Sequence, residues 1–221
     1  MIWSPARNFC FVHVPKTGGT AVEQAYKPHL RFGDVVLAAW RRSLDNWYDE
    51  VLHVGKHSSA AHIAGQVGQE RFRQLFSYAI VRDPLDRLVS YYRWIQSFEH
   101  PGELERWLRA HRSFEAFVEP ASEHFALQSD LVCDPGTGLP MVTILAPYPS
   151  LAESWRLVCT RLGVAAGALP RANASIAIPV EVTDRARQIV GRRYARDVTL
   201  YRDAVARWAA LHGAGRQQGA A

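Results

Sequence analysis

The sequence contains few of the features that mark secreted, membrane or disulfide-stabilised proteins. Only three of its 221 residues are cysteines, Cys10, Cys133 and Cys159. Their odd number and wide spacing fit neither a disulfide framework nor a paired zinc-ligand motif. The opening MIWSPARNFC has no apolar run long enough for a signal peptide, and no later stretch is long enough to span a membrane. We therefore expect a cytoplasmic protein with no membrane span and with inert, buried thiols.

The charge balance is also too weak to indicate a nucleic-acid partner. The chain has 26 basic and 21 acidic residues, a formal charge of +5, and the basic residues are dispersed. Such a balance suits an anionic ligand. The length and the 48% hydrophobic content fit one α/β domain over residues 1–221, with residues 212–221 as a flexible tail.

The stretch FCFVHVPKTGGTAVEQAY (residues 9–26) predicts a strand, a tight loop and a helix. Bulky and β-branched side chains fill residues 9–14, a run too short for a helix. Thr20 then caps or begins the helix. Apolar residues recur at helical spacing and would form its inner face, namely Ala21, Val22, Ala25 and Tyr26.

The loop in this stretch is typical of an anion site. The first backbone N–H groups of a helix are unpaired and carry the positive end of its dipole. Gly18 and Gly19 let the backbone approach a ligand, and Lys16 adds a mobile charge. The order of lysine and glycines is the reverse of the Walker loop of ATP kinases. The alternative is an ordinary strand-to-helix turn in which Lys16 is solvated.

A second informative stretch is FSYAIVRDPLDRLVSYYRWI (residues 76–95). It predicts a buried strand ending near Val81, an N-cap at Asp83 and a helix starting at Pro84. Arg82 would then lie at the carboxyl end of a strand, where α/β sheets bind ligands, and Ser90 would follow about two turns into the helix. The alternative is that Arg82 pairs with a neighbouring aspartate and Ser90 is a surface residue. Two anion sites on neighbouring strands would bind a ligand with two separated phosphate-type groups.

Together, FVHVPKTGGTAV and AIVRDPLDRLVSYY resemble the paired signatures of the carbohydrate-type sulfotransferases. That broad family contains the heparan sulfate 2-O-sulfotransferases and many bacterial relatives. The resemblance implies the donor 3′-phosphoadenosine-5′-phosphosulfate (PAPS), the product 3′,5′-ADP and no metal. It assigns the 5′-phosphosulfate to the first motif, which here comprises Lys16, Thr17, Gly18, Gly19, Thr20 and Ala21. It assigns the 3′-phosphate to the second motif, here Arg82 and Ser90.

Weaker similarities to the family continue along the chain, with some departures. They are GKHSSAAHI, LPRANAS (169–175) and RRYARDVTLY. Arg171, Asn173 and Ser175 either close over the nucleotide or form a plain loop. Ala21 replaces a frequent Ser, Asp83 replaces a common Asn, and VTILAPYPSL differs from the usual acidic segment. The expected fold is a three-layer, P-loop-like α/β domain with a mostly parallel central sheet flanked by helices.

Transfer to a hydroxyl needs a base, and histidine has a suitable pKa. His57 is the preferred candidate, because Ser58 or Ser59 would cap the next helix and leave His57 in the preceding loop, and because relatives carry a histidine there. We expect Lys16 to stabilise charge on the leaving oxygen. The alternative base is His62, inside the helix. His53 and His57 have a metal-ligand spacing, but Gly55 and the lack of a third ligand argue against a metal site.

The acceptor is less well defined by the sequence. A hydroxyl of a glycan or glycosylated small molecule is expected from the resemblance. Trp40, Trp47, Trp94 and Trp107 are candidates for sugar stacking or for the core. Residues 98–130 are expected to form a helical cover over the acceptor, and Gln128 is expected to touch it. The alternatives are a P-loop kinase-like phosphotransferase and a non-catalytic nucleotide-binding protein.

Overall fold

The computed structural model describes residues 1–37, 53–97, 99, 101–170 and 178–216. Its strands form one sheet in the order β3-β1-β2-β4-β5. The strands are β1 (Ile2–Ser4), β2 (Phe9–Val12), β3 (Val35–Val36), β4 (Phe76–Val81) and β5 (Ile144–Pro147).

The sheet is mixed, so the expected mostly parallel sheet is only partly parallel. β2, β4 and β5 run parallel to one another, whereas β1 is antiparallel to both β2 and β3. The short connection Pro5–Arg7 between β1 and β2 explains the difference, since parallel neighbours need a crossover of a dozen or more residues. Asn8, at a φ of 50°, completes this tight turn.

Helices connect and cover the strands. They are α1 (Gly19–Tyr26), α2 (Ala60–Val67), α3 (Gln69–Gln74), α4 (Pro84–Ser97), α5 (Glu103–Arg109), α6 (Phe114–His124), α7 (Gln128–Val132), α8 (Leu151–Leu162), α9 (Asp184–Arg193) and α10 (Ala195–Arg216).

Both faces of the central strands are buried, which gives the expected three layers. In β2, Cys10 and Val12 face one apolar cluster with side chains of α2, α3, α7 and α10. Phe9 and Phe11 face the opposite cluster, with side chains of α1 and α8. The α/β fold with helices flanking the sheet is therefore confirmed. The three cysteines are buried free thiols.

A third apolar cluster is built from α4, α5, α6 and α9. It includes Tyr92, Ile95, Phe117 and Ile189. The helical region expected at residues 98–130 therefore has its own packed core, apart from residues 98 and 100, which the structure does not describe. That this region covers an acceptor stays a prediction.

Several sequence-based expectations fall on residues outside the described part. They concern Trp40, Trp47, the loop at 171–177 and the last part of the tail, residues 217–221. The final helix, α10, continues to Arg216. Among the helices that the structure describes, none is both long and apolar enough to cross a membrane.

Candidate active site

The loop between β2 and α1 is tightly packed against its surroundings. Gly18 has a φ of +84°, and a Cβ added there would lie 2.8 Å from Leu151 Cδ2. A Cβ at Gly19 would lie 2.4 Å from ring atoms of His13. Thr17 is buried, and its hydroxyl donates to the Val14 carbonyl oxygen at 2.9 Å. The two glycines are therefore required for the path of this loop, and Thr17 holds it to the end of the strand segment.

Helix α1 begins at Gly19, with Gly18 as its N-cap, so Thr20 lies inside the first turn. The Ala21 N–H donates to the Gly18 carbonyl oxygen at 3.0 Å. Lys16 adopts a left-handed φ of 66°, which turns the chain sharply before the glycines. The predicted strand, glycine loop and helix are thus present, with the helix starting one residue earlier than Thr20.

Lys16 lies in partly desolvated surroundings. Its Nζ is 5.3 Å from the centre of the Trp94 ring. Burial, together with the nearby Arg82 guanidinium, lowers the pKa of Lys16 to about 8. Within the described part of the chain, Lys16 makes no ion pair with a carboxylate. A desolvated cation of this kind gains from an anionic ligand.

Arg82 follows β4 directly and reaches the same loop. Its Nη1 donates to the Lys16 carbonyl oxygen at 3.4 Å. Its guanidinium carbon lies 4.4 Å from the centre of the Tyr148 ring. Its Nε is buried and has no hydrogen-bond partner among the described residues. Arg82 makes no ion pair with Asp83, so the alternative in which that aspartate neutralises it is not observed.

Asp83 instead caps helix α4. Its Oδ1 accepts the N–H groups of Leu85 at 3.0 Å and Asp86 at 3.1 Å. The helix begins at Pro84, as predicted. Ser90 lies in the second turn of α4 and is half-buried. The segment after β4 therefore places Arg82 and helix α4, which carries Ser90, at one edge of the sheet.

Gln128 is not available to touch an acceptor, and the expectation that it does so is wrong. The side chain is fully buried. Its Oε1 accepts the Arg82 N–H at 2.8 Å, and its Nε2 donates to the Arg82 carbonyl oxygen at 2.8 Å. Both ends of the amide are thus used to hold the main chain of Arg82.

Tyr148 is a site residue that the sequence did not reveal. It follows β5, lies under the Arg82 guanidinium and would contact a Cβ at Gly18, with Cε2 at 3.2 Å. The signal was its position after a third parallel strand, because the carboxyl ends of parallel strands meet at one edge. The segment VTILAPYPSL therefore contributes its aromatic residue to the surroundings of Arg82 and Gly18.

His57 lies in the loop before α2, where it was predicted. The helix starts at Ala60, and Ser59 caps it by accepting the His62 N–H at 3.1 Å. The Nδ1 atom of His57 is 2.9 Å from the His13 carbonyl oxygen. Partial burial lowers the pKa of His57. The contact with the His13 carbonyl oxygen opposes this shift, whereas the positive charge of Lys56 lowers the pKa further. The residue as a whole remains exposed.

His13, Glu23 and Lys56 form a buried group beneath this histidine. His13 Nδ1 is 2.6 Å from Glu23 Oε1, and Lys56 Nζ is 3.2 Å from Glu23 Oε2. Burial lowers the pKa of His13 to about 3, so the ring is neutral at physiological pH. Its ring centroid lies 4.8 Å from that of His57. Glu23 lies on the inner side of α1. The sequence feature that could have revealed its role is a single carboxylate among the apolar residues of that helix.

His62, the alternative base, already uses one ring nitrogen. Its Nε2 is 2.6 Å from the His53 carbonyl oxygen, and the residue is exposed on α2. No group of three or more potential metal ligands occurs in the described ranges.

One cavity of the described part is lined by neither Lys16 nor Arg82. It has a volume of about 680 Å³, and segments 133–145 and 196–211 contribute much of its lining. The placement of charges, and not cavity size, makes the region around Lys16 and Arg82 the candidate anion site. Within the described ranges, a buried Arg82 nitrogen is unpaired and Lys16 has no carboxylate partner, so both side chains would gain from an anionic ligand near the start of α1.

Comparison with known proteins agrees with this chemistry. Residues 1–202 match the model of the family described as "Sulfotransferase family". No curated protein and no solved structure matches the chain. The family match favours sulfuryl transfer over the kinase-like alternative, and the reversed lysine and glycine order of the loop is consistent with it. The chain therefore belongs to the sulfotransferase family and is, by family, a PAPS-dependent enzyme.

Proposed function

We propose that the protein transfers a sulfuryl group from PAPS to a hydroxyl of a glycan or glycosylated small molecule, with His57 as the base. The observation that carries the proposal is the contact of the Arg82 side chain with the main chain of Lys16, at the carboxyl ends of neighbouring parallel strands. Arg82 Nη1 lies 3.4 Å from the Lys16 carbonyl oxygen, and neither side chain makes an ion pair within the described residues.

The two ends of the nucleotide would be held by different segments. Lys16 and the loop from Thr17 to Ala21 would hold the 5′-phosphosulfate. Arg82 would hold the 3′-phosphate with its planar fork, and Ser90 would add a hydroxyl. The unpaired Nε of Arg82 supports this role, because a buried donor is costly without an acceptor.

The acceptor proton would move to Nε2 of His57. A carbonyl oxygen can only accept a hydrogen bond, so the contact with His13 O places the His57 proton on Nδ1. Nε2 then carries the lone pair that a base needs. The exposure of the residue lets an acceptor hydroxyl approach it.

Lys16 would stabilise the negative charge that develops on the leaving oxygen. When bound, PAPS supplies the sulfuryl group and leaves as 3′,5′-ADP. With a pKa of about 8, Lys16 is mostly protonated at neutral pH and offers a weakly solvated ammonium. We infer that no metal is needed, because Lys16, Arg82 and the loop N–H groups supply the positive charge. Turnover should therefore be unchanged by EDTA.

The carbohydrate acceptor is supported by the resemblance of the two motifs to carbohydrate-type sulfotransferases. A partly exposed Trp94 beside Lys16 offers an apolar face near the transfer site. We propose this face as a wall for the sugar ring, next to the reacting hydroxyl.

Sulfur-labelled PAPS tests the proposal with two acceptor panels, one of glycans and glycosides and one of phenols and simple alcohols. Label transfer to the first panel, absent in His57→Ala and kept in His62→Ala, is the expected result. Transfer to phenols alone would contradict the carbohydrate assignment. Tight binding of 3′,5′-ADP without transfer to either panel would favour a non-catalytic binding protein.

A further inference from the structure

A buried hydrogen-bond network connects helix α10 to both anion-binding segments. It consists of Gln128, Asp197 and Arg87, whose exposed fractions are 0%, 0% and 1%. Their contacts converge on the main chain of Arg82 and on the residue before Lys16.

Gln128 fixes the main chain of Arg82 on both sides. The two 2.8 Å bonds from its amide pair with the N–H and the C=O of the same residue, as a neighbouring strand would. Arg82 lies just past the end of β4, where the ladder with β5 has ended at Val81. Gln128 therefore holds a residue that no strand holds.

Asp197 fixes Gln128. Its Oδ2 accepts the Gln128 N–H at 2.8 Å, and its Oδ1 accepts the Ser129 N–H at 2.9 Å. These are the first two N–H groups of α7, so a carboxylate from a distant helix caps α7. Any displacement of Asp197 would move Gln128, and with it the main chain of Arg82.

Arg87 extends the network to the first loop. Its Nη1 lies 3.7 Å from Asp197 Oδ2 and donates to the Ala126 carbonyl oxygen at 2.9 Å. Its Nε donates to the Pro15 carbonyl oxygen at 3.0 Å. Pro15 immediately precedes Lys16. The same buried network therefore contacts the main chain of Arg82 and the main chain next to Lys16.

We propose that Gln128, Asp197 and Arg87 are positioning residues that fix the spacing between the Lys16 loop and Arg82. This spacing makes the site selective for nucleotides with phosphates on both the 5′ and the 3′ positions. The inference rests on the proposed function, since it presupposes that Arg82 binds the 3′-phosphate. It adds that selectivity for this phosphate is set by residues that do not touch the nucleotide.

The test compares affinities for 3′,5′-ADP and 5′-AMP in Gln128→Met, which removes both amide contacts while keeping the side-chain length. Calorimetric titration is run on protein shown by circular dichroism to be folded at the titration temperature. We expect 3′,5′-ADP to bind about tenfold more weakly and 5′-AMP to change less than about twofold. Gln188→Met, on the exposed face of α9, is the matched control and should change neither affinity.

Two further variants keep the inference falsifiable if Gln128→Met does not fold. Gln128→Glu keeps the shape but places a carboxylate oxygen against the Arg82 carbonyl oxygen, and Asp197→Asn removes the negative charge that faces Arg87. Asp203→Asn on the exposed face of α10 controls for the latter. Both variants should raise the KM for PAPS and leave the KM for the acceptor unchanged. General destabilisation of the fold would not change one KM and spare the other.

The outcomes separate this inference from the function on which it rests. If the unmodified protein discriminates between the nucleotides and Gln128→Met and Gln128→Glu discriminate equally well, the positioning role is wrong and the proposed function stands. If the unmodified protein does not prefer 3′,5′-ADP, the proposed function fails and this inference fails with it.

Discussion

The Nδ1 atom of His57 lies 2.9 Å from the main-chain carbonyl oxygen of His13. That oxygen accepts only, so one tautomer of His57 is selected and Nε2 is left with its lone pair. His13 stands three residues before Lys16. A single main-chain group therefore connects the proposed base to the segment that carries the proposed anion-binding lysine.

His57→Ala should lower kcat by about a hundredfold or more, because no other group would take the acceptor proton. Nucleotide binding should be retained, since His57 is not assigned to the phosphates. Single-turnover rates and 3′,5′-ADP titration measure the two effects separately. His62→Ala is the control and should keep normal turnover. An active His57→Ala variant would exclude His57 as the base but not the enzyme class.

The pH profile of kcat/KM should be bell-shaped. The base must be neutral, and the pKa of His57 is lowered from its ordinary value of about 6.5, so activity is lost only as the pH falls below that value. Lys16 must be charged, and its pKa of about 8 predicts a second loss as the pH rises through 8. Lys16→Arg should remove the alkaline limb, because arginine does not titrate there. An alkaline limb that persists in Lys16→Arg would assign it to another group.

Gly19→Ala should destabilise the fold and weaken nucleotide binding. The added Cβ would meet the His13 ring at 2.4 Å, and His13 is held by Glu23, so the loop must shift. A loss of about 1–3 kcal/mol in the free energy of unfolding is expected for such overpacking. Gly65→Ala, where no atom lies within 4 Å, is the control and should be neutral or stabilising. Equal urea midpoints for the two variants would contradict the account.

Stability should fall in mild acid because of His13. The folded pKa of about 3 lies below the unfolded value of about 6.5, so the unfolded state binds the proton first. The contribution of neutral His13 is complete above pH 6.5 and is lost progressively as the pH falls toward 3. Urea unfolding at pH 7 and pH 5 measures this loss. His13→Gln should be less stable at pH 7 but should show a smaller difference between the two pH values.

The local parts of the site could be predicted from the sequence. The glycine loop, the cap at Asp83 and the cap at Ser59 depend on hydrogen bonds between residues at most three apart. The inner face of α1 also followed from spacing alone, with Ala21, Val22 and Tyr26 buried. Short-range hydrogen bonds and periodicity are directly visible in a sequence.

The remaining parts depend on contacts between distant segments. Tyr148 under Arg82 and Glu23 beneath His57 follow from which strands and helices become neighbours, and no periodicity encodes that. Gln128 shows the same limitation, since the family resemblance implied a substrate contact until its burial against Arg82 was known. The antiparallel β1 was missed for a similar reason, because the brevity of Pro5–Arg7 matters only once β1 and β2 are paired.

The most direct test of the two-anion site is calorimetric titration of the protein with 3′,5′-ADP, with 5′-AMP and with ATP plus magnesium. We expect preference for 3′,5′-ADP, lost in Arg82→Ala and retained in the exposed control Arg202→Ala. Equal binding of 3′,5′-ADP and 5′-AMP, or a preference for magnesium ATP, would contradict it.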